Sequence, residues 1–263
     1  MTQETTHIDR RRKSAENHIK QADQFEAEGL FQEAISELEK ALRASSDKAP
    51  IYKELAELYR SQRQVDNAIV SLKKVITAVP GDVHAREMLL EMLLELNRFD
   101  DAIQESRNLL QASPRSLSAR DVLSIAYLQK GMLEKALQVT NEMITMDPTS
   151  PVNHFKKAVL FQQKGDIGSA IHEFGRVLDM HPDEDMAQEA QQAMDTLDSY
   201  QLRHIVMLAV EDYIFRAKLI HDPESAALER GYYLSYAGMS ALKQIQFDEL
   251  PEVYSEWKHK YYH

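Results

Sequence analysis

The sequence predicts an all-α protein of stacked helix pairs, and three observations predict it. An alanine returns every 34 residues, at Ala34, Ala68, Ala102, Ala136 and Ala170. Each is followed by a branched aliphatic residue: Ile35, Ile69, Ile103, Leu137 and Ile171. Pro80, Pro114, Pro148 and Pro182 keep the same interval. A period of this length marks an array of supersecondary units, none of which can bury its apolar face alone. With 8 glycines and 8 prolines in 263 residues, there is too little punctuation for the turns of a β protein.

Within the frame the elements follow in order. The eighth place holds Ala22, Ala56, Leu90, Ser124 and Ala158, and the eleventh holds Phe25, Tyr59, Leu93, Tyr127 and Phe161. The twenty-eighth holds Leu42, Ile76, Leu110, Ile144 and Leu178. Places 4, 7, 8 and 11 share one face of a first helix, and places 20, 24, 27 and 28 one face of a second. Small residues at places 8 and 20 let the two axes approach, while the place-11 side chain fills the volume beside them. Gly29, Gly131 and Gly165 stand between the helices, where a left-handed residue is needed. Proline stops the second helix. The units so read are 15–48, 49–82, 83–116, 117–150 and 151–184.

On either side the pattern changes. Residues 1–14 read as a flexible polar tail, whose Arg10-Arg11-Arg12-Lys13 run is a solvated lead-in. Residues 185–198 start a sixth first helix, but Gln192 and Asp195 at places 8 and 11 cannot receive another repeat, so the helix reads as a cap. A separate helix is expected over Tyr200–Ile220, apolar on most sides and therefore buried on two fronts. Asp222-Pro223-Glu224 starts a short helix that Gly231 ends, and Ser235 caps another through Ile245. A last helix is expected from Pro251 to Tyr262, so 185–263 as a whole forms a cap and helical extension.

The pattern resembles the tetratricopeptide repeat family over five consecutive units. Departures are Arg63 and Asn97 in place of the turn glycine, Ser46 at the end of the first unit with the break deferred to Pro50, and no tryptophan at place 4. Ser106 and Thr140 replace the larger residue at place 24. The resemblance implies a right-handed α-solenoid superhelix of antiparallel helix pairs with a C-terminal helical cap. It also implies a concave face where places 2, 5, 9, 12 and 13 meet a ligand. Carried onto this sequence, those places give a mostly acidic stretch: Glu16, Asp23, Glu26, Lys53, Glu57, Arg60, His84, Glu87, Glu91 and Glu95. An apolar stretch follows: Leu94, Ile125, Leu128, Val152, Phe155 and Val159. An exposed apolar patch ordinarily has a partner; here the candidates are another protein's helix or the chain's own Tyr200–Ile220 helix folded back. Members that clamp a peptide's terminal carboxylates do so with basic and amide residues, where this chain has Ile19, Asp23, Glu54, His84 and Met88. That function is not expected.

The remaining chemistry is mostly excluded. The chain has no cysteine, hence no disulfide, iron–sulfur cluster or thiol nucleophile. No phosphate loop, metalloprotease or hydrolase motif occurs. His154, His172 and His181 are not expected to converge on a metal; His259 and His263 have helical metal-pair spacing but sit at the chain end, where a polar surface is expected. Net charge is −11, nearly all of it in the repeats, which repels nucleic acid and acidic membranes and favours basic partners. No apolar run approaches a membrane span and the first residues form no secretory signal, so a cytoplasmic protein is expected. The expected function is a non-catalytic scaffold binding a peptide or helical segment in the groove, with no cofactor and no metal. Self-assembly through the C-terminal helices, possible as a homodimer, and an assembly or regulatory role for that module are the alternatives.

Overall fold

The computed structural model describes residues 2–251. Among these residues all regular structure is helical, in an all-α helical repeat. The chain divides into two compact units, Met1–Met132 and Leu133–His263. The first holds α1 (Thr2–Ala27), α2 (Phe31–Ala44), α3 (Ala49–Ser61), α4 (Val65–Ala78), α5 (Val83–Glu95), α6 (Phe99–Ala112) and α7 (Leu117–Gln129). The second holds α8 (Leu133–Met146), α9 (Pro151–Lys164), α10 (Ile167–Asp179), α11 (Glu184–Glu211), α12 (Tyr213–His221), α13 (Pro223–Glu229) and α14 (Tyr236–Lys243), then a 3-10 turn, Phe247–Glu249.

The recurring alanine sets the helix spacing. Ala34, Ala68, Ala102, Ala136 and Ala170 all have zero solvent exposure, and Ala56, Leu90 and Ala158 at the eighth place are equally enclosed. In the first unit Ala22 of α1 meets Ala34, Leu38 and Ala41 of α2, and Ile51, Leu55 and Leu58 of α3 close the layer. No side chain larger than a methyl fits at the recurring place without forcing the axes apart.

The connections obey the same logic. Gly29, Gly131 and Gly165 turn through the left-handed region, with φ of 75°, 68° and 80°. Arg63 and Asn97 hold the same conformation at φ 56° and 55°, without glycine's freedom. Arg63→Gly is therefore expected to raise stability by about 0.5–1 kcal/mol, read as a higher urea midpoint; Asn97→Gly should give less, because asparagine tolerates this region better.

At place 4, which lacks the family's tryptophan, the side chain reaches an acid across the helix pair in three units. His18 Nδ1 lies 2.6 Å from Glu37, Arg86 pairs with Glu105, and His154 Nδ1 lies 2.7 Å from Glu173. Each partner is 19 residues on, at place 23 of the second helix. A cross-helix hydrogen bond thus does the joining that a large aromatic would do by volume. In the last pair His154 is fully enclosed and Glu173 is 4 % exposed, whereas the sequence offered no reason to bury this histidine.

Two expectations are corrected. Residues 2–14 are not a frayed tail but the start of α1, because nothing from Thr2 to Ala27 is glycine or proline and a packed helix propagates outward. Likewise the cap and the expected Tyr200–Ile220 helix are not separate elements at Ser199. A 28-residue α11 runs through that point and breaks at Asp212, which ends α11 and accepts from Phe215 N–H as the N-cap of α12. The following elements match their signals: Asp222 caps α13, Gly231 turns at φ 78°, and Ser235 caps α14. The helix expected over Pro251–Tyr262 lies outside the described residues from residue 252 on, as do His259 and His263.

The second unit closes on two cores. Ala158, Ala170, Ile171, Phe174 and Val177 pack under Ala190, Met194 and Leu197 of α11. Further along, Ile205 and Ala209 of α11 join Phe215, Leu219, Ala226, Ala227, Leu242 and Phe247. Polar bonds join these helices too. Buried Asp198 accepts from Ser235 N–H and Oγ, and Gln201 exchanges two hydrogen bonds with the backbone of Tyr233.

Candidate functional site

The first helices of successive pairs in the first unit bring acidic side chains to one cleft. α1 contributes Glu26; α3 contributes Glu57, Arg60 and Ser61; α5 contributes His84, Glu87, Met88 and Glu91. The spacing 84, 87, 88, 91 keeps the α5 residues on one helical face, and 57, 60, 61 does so on α3. The cleft encloses about 730 Å³.

Its charge is unbalanced. Four carboxylates face one arginine and one histidine. Arg60 stands 3.6 Å from Glu91, but both side chains are at least half exposed, so the pair neutralises little. Behind them sits Glu54, one turn before Glu57 on α3. Burial, then the neighbouring Asp23, Glu57 and Glu26, push its carboxyl above the usual glutamate range. Its Oε2 is enclosed and has no hydrogen-bond partner among the described residues. The site therefore carries negative potential that the protein itself leaves uncompensated.

The residues singled out in the sequence divide between the units. Glu87 and Glu91 line the cleft. Leu94 and Glu95 follow on α5 outside it, half-buried and exposed respectively, while Lys53 is held by Asp82 at 2.5 Å. Ile125 and Leu128 are half-buried on α7 of the first unit. Val152, Phe155 and Val159 lie on α9 of the second, where only Val152 is classed as exposed. Phe155 meets Phe174 edge-on at 5.4 Å, and both Phe155 and Val159 pack against the cluster that Met194 and Leu197 of α11 close. That cluster joins α9, α10 and the first half of α11. Glu54 was legible as an acid at place 6 but not as a half-buried one with an enclosed oxygen, since that depends on how α1 and α3 pack.

No group of histidine and acidic side chains among the described residues could hold a metal ion. None of the described helices is long and apolar enough to cross a membrane.

Two models of the tetratricopeptide repeat match the chain, over residues 26–91 and 88–151. The chain is a tetratricopeptide repeat protein. Solved structures agree on the fold. A tetratricopeptide repeat protein from Parabacteroides merdae superposes with a TM-score of 0.63 at 17% identity, covering 88% of this chain and 98% of that one. YrrB, described as a TPR protein with an unusual peptide-binding site, gives 0.57 at 20% identity over 72% of this chain and 97% of its own. MamA from Desulfovibrio magneticus gives 0.55 at 18% identity over 64% and 95%. No curated protein matches the chain in sequence. As a tetratricopeptide repeat protein, the chain is a scaffold for interactions with other proteins.

Proposed function

We propose that this repeat protein binds a basic segment of another protein, extended or helical, in the cleft formed by α1, α3 and α5, and performs no chemistry on it. The observation that carries the reading is the charge imbalance: Glu26, Glu57, Glu87 and Glu91 against Arg60 and His84, with unpartnered Glu54 behind. A lysine or arginine entering there meets several carboxylates in a recess, where pairing is worth more than on an open surface. Its charge would also draw the Glu54 carboxyl back toward its ordinary range. Leu94 and Glu95 extend the contact along α5, and Ile125 and Leu128 offer apolar anchors on α7. On the second unit, Val152, Phe155 and Val159 form a separate apolar trio on α9, whose last two members pack against the buried cluster there. The peptide-binding site reported for YrrB supports the general reading. The cytoplasmic setting belongs to this proposal as well.

The test is fluorescence anisotropy with a labelled peptide carrying lysine and arginine between apolar residues, against a peptide of equal length with glutamate in their place. The triple variant Glu57→Gln, Glu87→Gln, Glu91→Gln should bind the basic peptide at least about tenfold more weakly, with a shallower dependence on salt. Equal affinity for the two peptides, or an affinity untouched by the triple variant, would refute the cleft as the site. The C-terminal helices offer a second surface, apolar rather than acidic, and self-association belongs there.

A further inference from the structure

The large apolar side chains of α12 lie on two opposite faces, with Arg216, Lys218 and His221 between them, a pattern that belongs to helices covered on two fronts. The structure covers one. Phe215 and Leu219 face the C-terminal core at 1 % exposure each. Successive residues advance by about 100°, so Tyr213, Ala217 and Ile220 form the stripe opposite them, flanked by Ile214. That stripe is open: Tyr213 is 74 % exposed, Ile220 55 % and Ile214 54 %. On α11 the outward stripe carries Met207, 63 % exposed, and Tyr200. Isolated exposed apolar residues are ordinary; several large ones on one short helix and the helix before it are not.

We infer that this face binds the same face of a second copy of the chain, with the two α12 helices antiparallel across a twofold axis. The charges order the contact. Exposed Glu211 precedes α12, and Lys218 and His221 occupy its last turn. An antiparallel neighbour sets the acidic end of each helix against the basic end of the other and opposes the two helix dipoles. Lys218 already reaches Glu229 within the chain, at a site more than half exposed, so it remains open to a further acid. Residues 200–221 hold three basic and two acidic groups, whereas the whole chain carries −11. Two copies therefore meet here with little of the repulsion that their repeats would impose. A pair of nine-residue helices falls short of the roughly 800 Å² per partner of a standard interface, so the contact is of micromolar strength.

Sedimentation velocity on the full chain, from about 2 to 200 µM, tests this. The wild type should pass from monomer to dimer over that range. The variant Tyr213→Asp, Ile220→Asp should stay monomeric with unchanged helical circular dichroism, since both side chains are exposed, and should bind the basic peptide as before. A wild type that stays monomeric throughout, or a variant that dimerises equally well, overturns the inference. Trp257, the single tryptophan, reports the competing occupant. If the wild type is monomeric and the variant shifts Trp257 emission to longer wavelength, the chain's own C-terminal segment covers the face and the second copy does not.

Discussion

Glu173→Ala should destabilise the second unit by about 3–5 kcal/mol, the cost of removing one partner from a buried charged cluster. Glu173 lies on α10 at 4 % exposure and receives His154 Nδ1 at 2.7 Å and Lys157 Nζ at 3.0 Å, both from α9. Removing it leaves a fully enclosed imidazole and a largely buried ammonium without their carboxylate acceptor. Chemical denaturation of the wild type and the variant measures the loss. The same carboxylate gives a pH signature. Burial alone would raise its pKa, but the hydrogen bonds from His154 and Lys157 outweigh that and hold it below the ordinary 4.5. A depressed folded pKa means that the stabilisation is complete above about pH 4.5 and is lost as pH falls through the lower folded value. Glu173→Gln should therefore flatten the acid limb of the stability profile, while costing less at neutral pH than the alanine variant because an acceptor remains. An acid limb identical in wild type and Glu173→Gln would show that the carboxylate is not held as described.

Gly238→Ala should cost about 2–4 kcal/mol and free α14 from α11. A methyl group at Gly238 would run into all three carboxyl atoms of Asp198, well inside contact distance. That carboxylate is 4 % exposed and cannot retreat into solvent; it accepts from Ser235 N–H at 2.9 Å and from Ser235 Oγ, which in turn caps α14 by accepting from Gly238 N–H. Displacing Asp198 breaks the cap and leaves a charged group poorly paired in the interior. Limited proteolysis should then cut between residues 231 and 250 in the variant at concentrations that spare the wild type. Equal protection in both would mean that the joint accommodates the methyl by moving as a body.

The repeat was legible because its causes are local and recur. A small residue every 34 positions, with an aliphatic neighbour and a terminal proline, states where two helices touch and where each pair stops. Ser235, Asp222 and Gly231 announced their turns for the same reason, since capping depends on a few adjacent residues. Less legible was anything set by what lies across a helix interface. Place 4 looked like a loss of tryptophan, yet in three pairs it is one half of a hydrogen bond whose other half stands 19 residues on. Asp198 and Ser235 are 37 residues apart, beyond any periodic signal. The pattern of the sequence changes at Ser199, yet no residue there stops a helix, and α11 runs on through it.

By itself, then, the sequence determined the all-α class, the helix pairing, the left-handed turns and the acidic character of the first helices. Each of these follows from side-chain size, backbone freedom or charge at one place. Only the tertiary structure decided which acids converge on a cleft, which one has an oxygen enclosed without a partner among the described residues, and that α12 keeps one apolar face uncovered. Those are properties of distance between segments remote in the chain, and burial turns a carboxylate from a freely ionised surface group into one whose charged form is disfavoured until a cation arrives.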